Sequence, residues 1–189
     1  MLAAAVLLAV PAAAPAACGG VKAAKSQRNL VKGPEPFAIG DSVMLLAVNP
    51  LARAGFNVNA QGCRRWSQGH ALLARKKRQR RLPRLVVMAL GTNWSIKRRE
   101  IGRTRRLLGP KRVLAIVTPR EPGGYTTDAR RVREATRAHP RNLKLLDWVR
   151  YSRGHGSWFG GDGIHLTMTG VKNYVRFIRR SLKFSSGVT

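Results

Sequence analysis

The sequence predicts a three-layer α/β/α domain built on a five-stranded parallel sheet. Short apolar segments that suit buried strands alternate with longer basic segments that suit helices, and glycine or proline often separates them. Regular alternation of this kind requires right-handed crossovers, which place helices on both faces of a parallel sheet. At 189 residues, the chain is long enough to bury a sizeable core in one such domain.

Two of the predicted strands, 85–90 and 112–118, are continuous apolar runs, which are typical of strands buried on both faces. The five predicted strands, in chain order, are 37–40, 56–60, 85–90, 112–118 and 143–147. The five predicted helices are 43–54, 64–80, 95–108, 127–138 and 169–182.

The predicted domain spans 37–184, with a tail at 185–189. Residues 1–20 form a signal-like or membrane-proximal apolar segment, and their small residues before Cys18 favour export, with lipid attachment at Cys18 as an alternative. Residues 21–36 are polar and basic, which predicts a linker. Cys63 lies inside a motif region, so we do not expect a structural disulfide between Cys18 and Cys63.

The charge balance is strongly basic: 36 Lys and Arg against 8 Asp and Glu give a net charge of +28. Such a field favours anionic cell-wall polymers or anionic membrane surfaces as partners. The basic run at 75–84 ends a predicted helix, where cations suit the helix dipole, so a solvated helix face is the favoured interpretation. The sequence has no basic sheet with interleaved aromatics and no recognition helix, which argues against nucleic-acid binding.

Four polar residues are candidates for chemistry. Ser42 and Asn93 each follow a predicted strand, and Asp162 precedes His165 by three residues in a glycine-rich loop. Ligands of open α/β sheets bind beyond the carboxyl ends of the strands, so we expect these residues to converge on one edge.

An Asp-x-x-His spacing lets the carboxylate hold one imidazole nitrogen while the other acts as a base. We therefore predict acyl transfer with Ser42 as nucleophile, His165 as general base and Asp162 as the residue that orients His165.

The developing oxyanion needs hydrogen-bond donors. We assign this role to the Asn93 amide and to backbone N–H groups at Ser42 and near Gly62 and Cys63. The scattered histidines and two cysteines lack the spacing of metal ligands, and no cofactor is expected.

These motifs resemble conserved blocks of a known family. Gly-Asp-Ser at 40–42, Gly-Thr-Asn at 91–93 and Asp-Gly-Ile-His at 162–165 resemble blocks one, three and five of the SGNH (GDSL-type) hydrolases. Thr-Pro-Arg-Glu at 118–121 and Leu-Asp-Trp at 146–148 add a closer likeness to the extracytoplasmic SGNH domains of peptidoglycan O-acetyltransferases. The resemblance implies a flavodoxin-like SGNH fold with Ser42, Asp162 and His165 as the triad. In the second block, Cys63 stands about where many relatives carry glycine, which favours a backbone role.

The resemblance implies an extracytoplasmic serine esterase or O-acyltransferase that acts through an acyl-serine on an O-acetylated cell-envelope glycan or a similar ester. Many relatives carry this domain fused to a multi-pass acyltransferase. This sequence shows no such segment. If the chain is a transferase, we therefore expect the acetyl group to come from another protein, such as a membrane acyltransferase. The alternative function is a non-catalytic, cationic module that binds cell-wall polymers or other polyanions on an SGNH scaffold.

Three aromatic residues near the motifs have two interpretations. Trp94, Trp158 and Phe159 form either an apolar or sugar-stacking wall of the site or part of the core. Cys63 as a second nucleophile is less favoured than Cys63 as a small packed residue.

Overall fold

The computed structural model of the chain describes residue 18, residues 20–29 and residues 34–184. Its centre is a six-stranded sheet with the order β1-β3-β2-β4-β5-β6. The strands are β1 (Val21–Ala24), β2 (Phe37–Gly40), β3 (Asn57–Gln61), β4 (Leu85–Ala89), β5 (Val113–Val117) and β6 (Leu143–Leu146). Most of the predicted segment 1–20 and the whole predicted tail 185–189 lie outside the described residues.

Within the residues that the structure describes, six α-helices connect or follow the strands. They are α1 (Val48–Arg53), α2 (Trp66–Arg78), α3 (Arg98–Leu108), α4 (Thr127–Ala138), α5 (Trp148–Tyr151) and α6 (Met168–Arg179). Among the residues that the structure describes, none of these helices has the length and apolar character needed to cross a bilayer.

The predicted α/β class is confirmed, and the sheet differs from the prediction at one edge. β2 to β6 pair in parallel as expected. β1 adds a sixth strand that pairs antiparallel with β3, with Val21 opposite Gln61. The linker predicted at 21–36 is therefore wrong for Val21–Ala24. This segment is largely exposed and lacks a buried apolar face, so its strand conformation depends on the free edge of β3.

The core lies on both faces of the sheet because successive strand residues point to opposite sides. On β4, Leu85, Val87 and Ala89 pack with Leu51 of α1 and Tyr174 of α6. The intervening residues of the same strand pack into a second cluster with helices α2, α3 and α4; this cluster includes Val86, Met88, Trp66, Leu73, Ile101 and Val132. All five residues of β4 are buried, as the apolar run predicts.

The first predicted helix, 43–54, is divided into two types of helix. Ser42–Ala47 form a 3-10 helix, and the α-helical geometry of α1 begins at Val48. Pro50 explains the division, since proline lacks the N–H that would donate to a carbonyl in the preceding turn. Ser42 therefore begins a short 3-10 helix and does not precede one continuous α-helix over 43–54.

Candidate active site

The nucleophile turn, Gly40–Ser42, follows the central strand β2. Gly40 ends β2 and pairs with Ala60 of β3 and Ala89 of β4. The side chain of Met44 fills the space that a Cβ at residue 40 would need, so glycine allows the tight turn. Ser42 emerges half-buried at the carboxyl edge of the sheet.

Asp41 holds the nucleophile turn in shape from inside the protein. One of its carboxylate oxygens accepts from the Val43 N–H at 3.1 Å, and the other accepts from the Thr92 N–H at 3.4 Å. The side chain is buried, and this burial raises the pKa of Asp41 to about 6 although both backbone hydrogen bonds oppose the shift. Asp41 thus joins the turn after β2 to the loop after β4.

The histidine loop, Asp162–His165, presents the imidazole to Ser42. Asp162 Oδ1 accepts from the backbone N–H groups of both Ile164 and His165 at 2.9 Å, which folds the loop around the carboxylate. His165 Nδ1 lies 2.5 Å from Asp162 Oδ2, and His165 Nε2 lies 2.9 Å from Ser42 Oγ. With Nδ1 as the donor to Asp162, Nε2 is left to accept the hydroxyl proton of Ser42.

Asp162 differs from Asp41 in its electrostatics. Its hydrogen bond with His165, followed by the bond from the Ile164 N–H, lowers the pKa of Asp162 to about 2. The side chains of Asp162 and His165 are about half exposed, at 47% and 53%. Asp162 is therefore ionised at neutral pH and serves as the hydrogen-bond acceptor for His165 Nδ1.

Arg120 supports the histidine loop from the loop after β5. Its Nε donates to the Gly163 carbonyl at 2.8 Å, and its guanidinium lies over the Phe159 ring at 4.0 Å. The Gly160 N–H also donates to the His165 carbonyl at 2.8 Å. The sequence gives Arg120 no role of its own. Its place in the Thr-Pro-Arg-Glu motif at 118–121 is the only sequence signal for a function at this position.

The structure brings Asn93 to the same edge of the sheet. The Thr92 N–H bonds to Asp41, so the following residue, Asn93, lies next to the turn that carries Ser42. Asn93 is exposed. Within the described ranges, no hydrogen bond engages the exposed Asn93 amide or the N–H groups of Ser42, Gly62 and Cys63, and Gly62 itself is buried.

A buried arginine fixes the loop that contains Gly62 and Cys63. Arg64 Nη1 donates to the Gly40 carbonyl at 3.1 Å and to the Asn59 carbonyl at 2.6 Å. Only 3% of Arg64 is exposed, and burial lowers its pKa while the charge of Asp41 opposes the shift. This clamp joins the end of β3 to the nucleophile turn. Sequence analysis placed Arg64 only at the start of a helix, since a single sequence gives no sign that an arginine is buried.

The structure contradicts the expectation about the two cysteines. Cys18 and Cys63 form a disulfide with their Cα atoms 5.3 Å apart. The antiparallel pairing of β1 with β3 brings the residues before β1 alongside the loop after β3, which is why two cysteines distant in sequence meet. Cys63 has a φ of 53°, the left-handed conformation that glycine adopts most easily, in keeping with the glycine expected there. In this bonded form, Cys18 offers no thiol for a lipid and Cys63 is no second nucleophile.

Trp94, Trp158 and Phe159 were expected either to line the site or to pack in the core, and the structure places them differently. Phe159 is buried and Trp158 is half-buried, and both rings contact Trp148 with centroids 6.0 and 5.8 Å away. They belong to the aromatic packing around α5. Trp94, in contrast, is 50% exposed and follows Asn93 directly in the chain.

Comparison with known proteins agrees with this geometry. No protein-family model matches the chain. Over 146 residues, the chain is 27% identical to peptidoglycan O-acetyltransferase OatA of Listeria monocytogenes, and the match covers 76% of this chain and 23% of that protein. The chain spans between 16% and 24% of the lengths of its curated relatives.

Two solved structures share the architecture. The C-terminal catalytic domain of peptidoglycan O-acetyltransferase A from Streptococcus pneumoniae superposes with a TM-score of 0.71 at 24% identity, covering 81% of this chain and 94% of that one. A member of the lipolytic G-D-S-L family from Veillonella parvula gives 0.55 at 13% identity, covering 78% and 96%. The chain has the SGNH hydrolase fold. The predicted resemblance to SGNH hydrolases is confirmed.

Proposed function

We propose that the chain is an SGNH-type serine esterase or O-acyltransferase that works through an acyl-Ser42 intermediate. The hydrogen bond of 2.9 Å between Ser42 Oγ and His165 Nε2 carries this proposal. A serine next to an imidazole that a carboxylate orients is the arrangement that makes a hydroxyl nucleophilic.

In the first half-reaction, Ser42 Oγ attacks the carbonyl carbon of the ester and its proton moves to His165 Nε2. The tetrahedral intermediate then collapses as the bond to the leaving oxygen breaks. The imidazolium returns the proton to that oxygen, so the alcohol leaves and Ser42 stays acylated. Asp162 stabilises the imidazolium through Nδ1, which its low pKa supports.

The oxyanion of this intermediate requires donors that need no rearrangement. The unengaged Asn93 amide and the N–H groups of Ser42, Gly62 and Cys63 are assigned this role. Arg64 and the Cys18–Cys63 disulfide fix the loop that carries two of these donors. Loss of a single donor of this kind typically lowers turnover by about 10²–10³.

The second half-reaction decides between a hydrolase and a transferase. His165 takes a proton from water or from a sugar hydroxyl, and the resulting oxygen attacks the acyl carbon. Ser42 leaves and recovers its proton from His165, while the acyl group goes to water or to the glycan.

The name of the Listeria relative points to the substrate class. We extend it to this chain as an acetyl group carried by, or transferred to, a cell-envelope glycan outside the cytoplasm, with a membrane acyltransferase as the acetyl donor. The Cys18–Cys63 disulfide supports this location, because structural disulfides persist mainly in oxidising compartments.

The cationic surface supports an anionic neighbour for this enzyme. Arg75, Lys77 and Arg78 on α2, and Arg99, Arg103 and Arg106 on α3, are all exposed or partly exposed cations on the same side of the sheet. We propose that this α2–α3 basic face contacts anionic wall polymers; salt-sensitive binding to anionic vesicles instead would assign it to the membrane. A non-catalytic binding module would not need the hydrogen bond between Ser42 Oγ and His165 Nε2, so we favour the enzyme.

The proposed function is tested with an activated acetyl ester and a soluble glycan acceptor. Free acetate and acetylated glycan are measured together for the wild type and Ser42→Ala. The proposal predicts that Ser42→Ala loses both products, and the ratio in the wild type separates transfer from hydrolysis. Absence of both products from folded wild-type protein, together with salt-sensitive binding to wall polymers, would favour the binding module.

A further inference from the structure

A cleft opens beside Asn93, between the loop after β4 and the loop after β5. Its volume is about 450 Å³, which is within the range of small-molecule sites. Thr92 and Asn93 line one end, and the Thr92 N–H bonds to Asp41 next to the nucleophile. Asn93, one of the proposed oxyanion donors, is thus also a lining residue of this cleft.

The walls of this cleft are aromatic. Trp94 on one side is 50% exposed and Tyr125 on the other is 73% exposed. The Arg65 guanidinium lies 3.8 Å from the Trp94 ring centroid, which supports the ring in place. Residue 123 is a glycine, which leaves room for the Tyr125 ring. A Cβ at residue 123 would lie only 3.1 Å from that ring. Large exposed aromatics that face a cleft mark a surface that binds another molecule.

The floor of the cleft is polar and rigid. Asp128 is 3% exposed and accepts from the Ile96 N–H at 2.8 Å and from Arg131 at 2.7 Å. Ser95 Oγ bonds to both Asp128 and Arg131. These hydrogen bonds form before any ligand arrives, so a ligand would meet polar groups that are already held in position.

The local charge distinguishes the ligand from a polyanion. Glu121 and Asp128, two of only eight acids in a chain of net charge +28, line this cleft together with Arg131. The surroundings are thus close to neutral where most of the chain is strongly basic. Neutral sugar rings fit such a place, since their C–H faces pack on aromatic rings while their hydroxyls bond to polar groups.

We propose that Trp94 and Tyr125 form a glycan subsite that holds neutral sugar rings beside Asn93. The subsite rests on the proposed function, because it would present the hydroxyl or ester of the glycan to Ser42. It gives that function a specificity element: the two aromatic walls select a sugar polymer over a small ester.

The test compares a small ester with a sugar probe in each variant. Hydrolysis of an activated aryl acetate and transfer of its acetyl group to a soluble chito-oligosaccharide are measured for wild type, Trp94→Ala and Tyr125→Ala. We expect the loss in kcat/KM for the oligosaccharide to exceed the loss for the aryl acetate by about tenfold in each variant. Tyr125→Phe keeps the ring and should retain most of the wild-type kcat/KM for the oligosaccharide. Leu145→Ala, an exposed apolar side chain on β6, is the matched control and should change neither value.

A binding measurement separates failure of the subsite from failure of the enzyme. Calorimetric titration of the chito-oligosaccharide into Ser42→Ala, with and without Trp94→Ala, needs no turnover. Binding that Trp94→Ala weakens about tenfold would support the subsite even if the wild type hydrolysed no ester. Equal binding in both proteins, or an oligosaccharide effect no larger than the aryl acetate effect, would overturn the proposal.

Discussion

The nucleophile turn and the histidine loop each contain an aspartate, yet they use it in opposite ways. Asp41 is buried behind the nucleophile, and burial raises its pKa to about 6. Asp162 is half exposed, and its hydrogen bond with His165 lowers its pKa to about 2. The buried carboxylate of Asp41 therefore maintains the shape of the turn, whereas the exposed carboxylate of Asp162 places a negative charge beside the imidazole.

Removal of the imidazole should have the largest effect. We expect His165→Ala to lower kcat by about 10⁴-fold or more, because Ser42 then has no base for its proton. The loss is measured as kcat for ester hydrolysis, with wild-type enzyme assayed in parallel. His155→Ala, which removes an exposed histidine stacked on Trp158, is the matched control and should retain activity. Comparable losses in the two variants would contradict the assignment.

The next effect tests the charge on the histidine loop. Asp162→Asn should lower kcat by about 10³–10⁴-fold, because an amide NH₂ facing Nδ1 favours the wrong imidazole tautomer. Circular dichroism and thermal melting establish that the variant stays folded. Asp41→Asn should lower kcat far less than Asp162→Asn. A larger loss of kcat in Asp41→Asn would contradict the roles assigned to the two aspartates.

The third prediction concerns the covalent link beside the nucleophile turn. Cys18→Ser should lower the free energy of unfolding by about 2–4 kcal/mol, since the disulfide closes a loop with a sequence separation of 45 residues. Urea unfolding measures the change. A reductant should lower wild-type stability toward that of the variant and leave the variant itself unaffected. Equal stability of the two proteins without reductant would show that the bond does not form in solution.

The fourth prediction uses the raised pKa of Asp41. Since the pKa of Asp41 is about 6 in the folded chain and about 3.8 in an unfolded chain, the folded state binds an extra proton between these two pH values. Stability from this residue is therefore present at low pH and falls as pH rises through about 4 to 6, by about 3 kcal/mol. Asp41→Asn should remove this fall. Unfolding of both proteins at about pH 4 and pH 7 gives the difference, and parallel pH profiles would contradict it.

Sequence reasoning reached the strands and the site residues where local pattern determines them. The apolar run at 85–90 suffices to predict a buried strand, and the strand-end positions of Ser42 and Asn93 place them at one edge of the sheet. Asp162 and His165 could be paired because their contact is local, at a spacing of three residues.

The remaining features depend on contacts between distant segments. β1 is short and largely exposed, and it becomes a strand only because β3 offers an unpaired edge. That same pairing brings Cys18 to Cys63. The burial of Arg64 is likewise visible only once Gly40 and Asn59 lie within reach of its guanidinium. Such contacts have no periodic signal in a single sequence.

Acylation of Ser42 can be observed by intact-protein mass spectrometry after brief incubation with an activated acetyl ester. The account predicts one acetyl adduct on the wild type, mapped by peptide analysis to Ser42 and absent from Ser42→Ala and His165→Ala. Free acetate without an adduct would indicate rapid deacylation if it disappears in Ser42→Ala. Acetate release that persists in Ser42→Ala, or an adduct on another residue, would contradict the acyl-Ser42 mechanism.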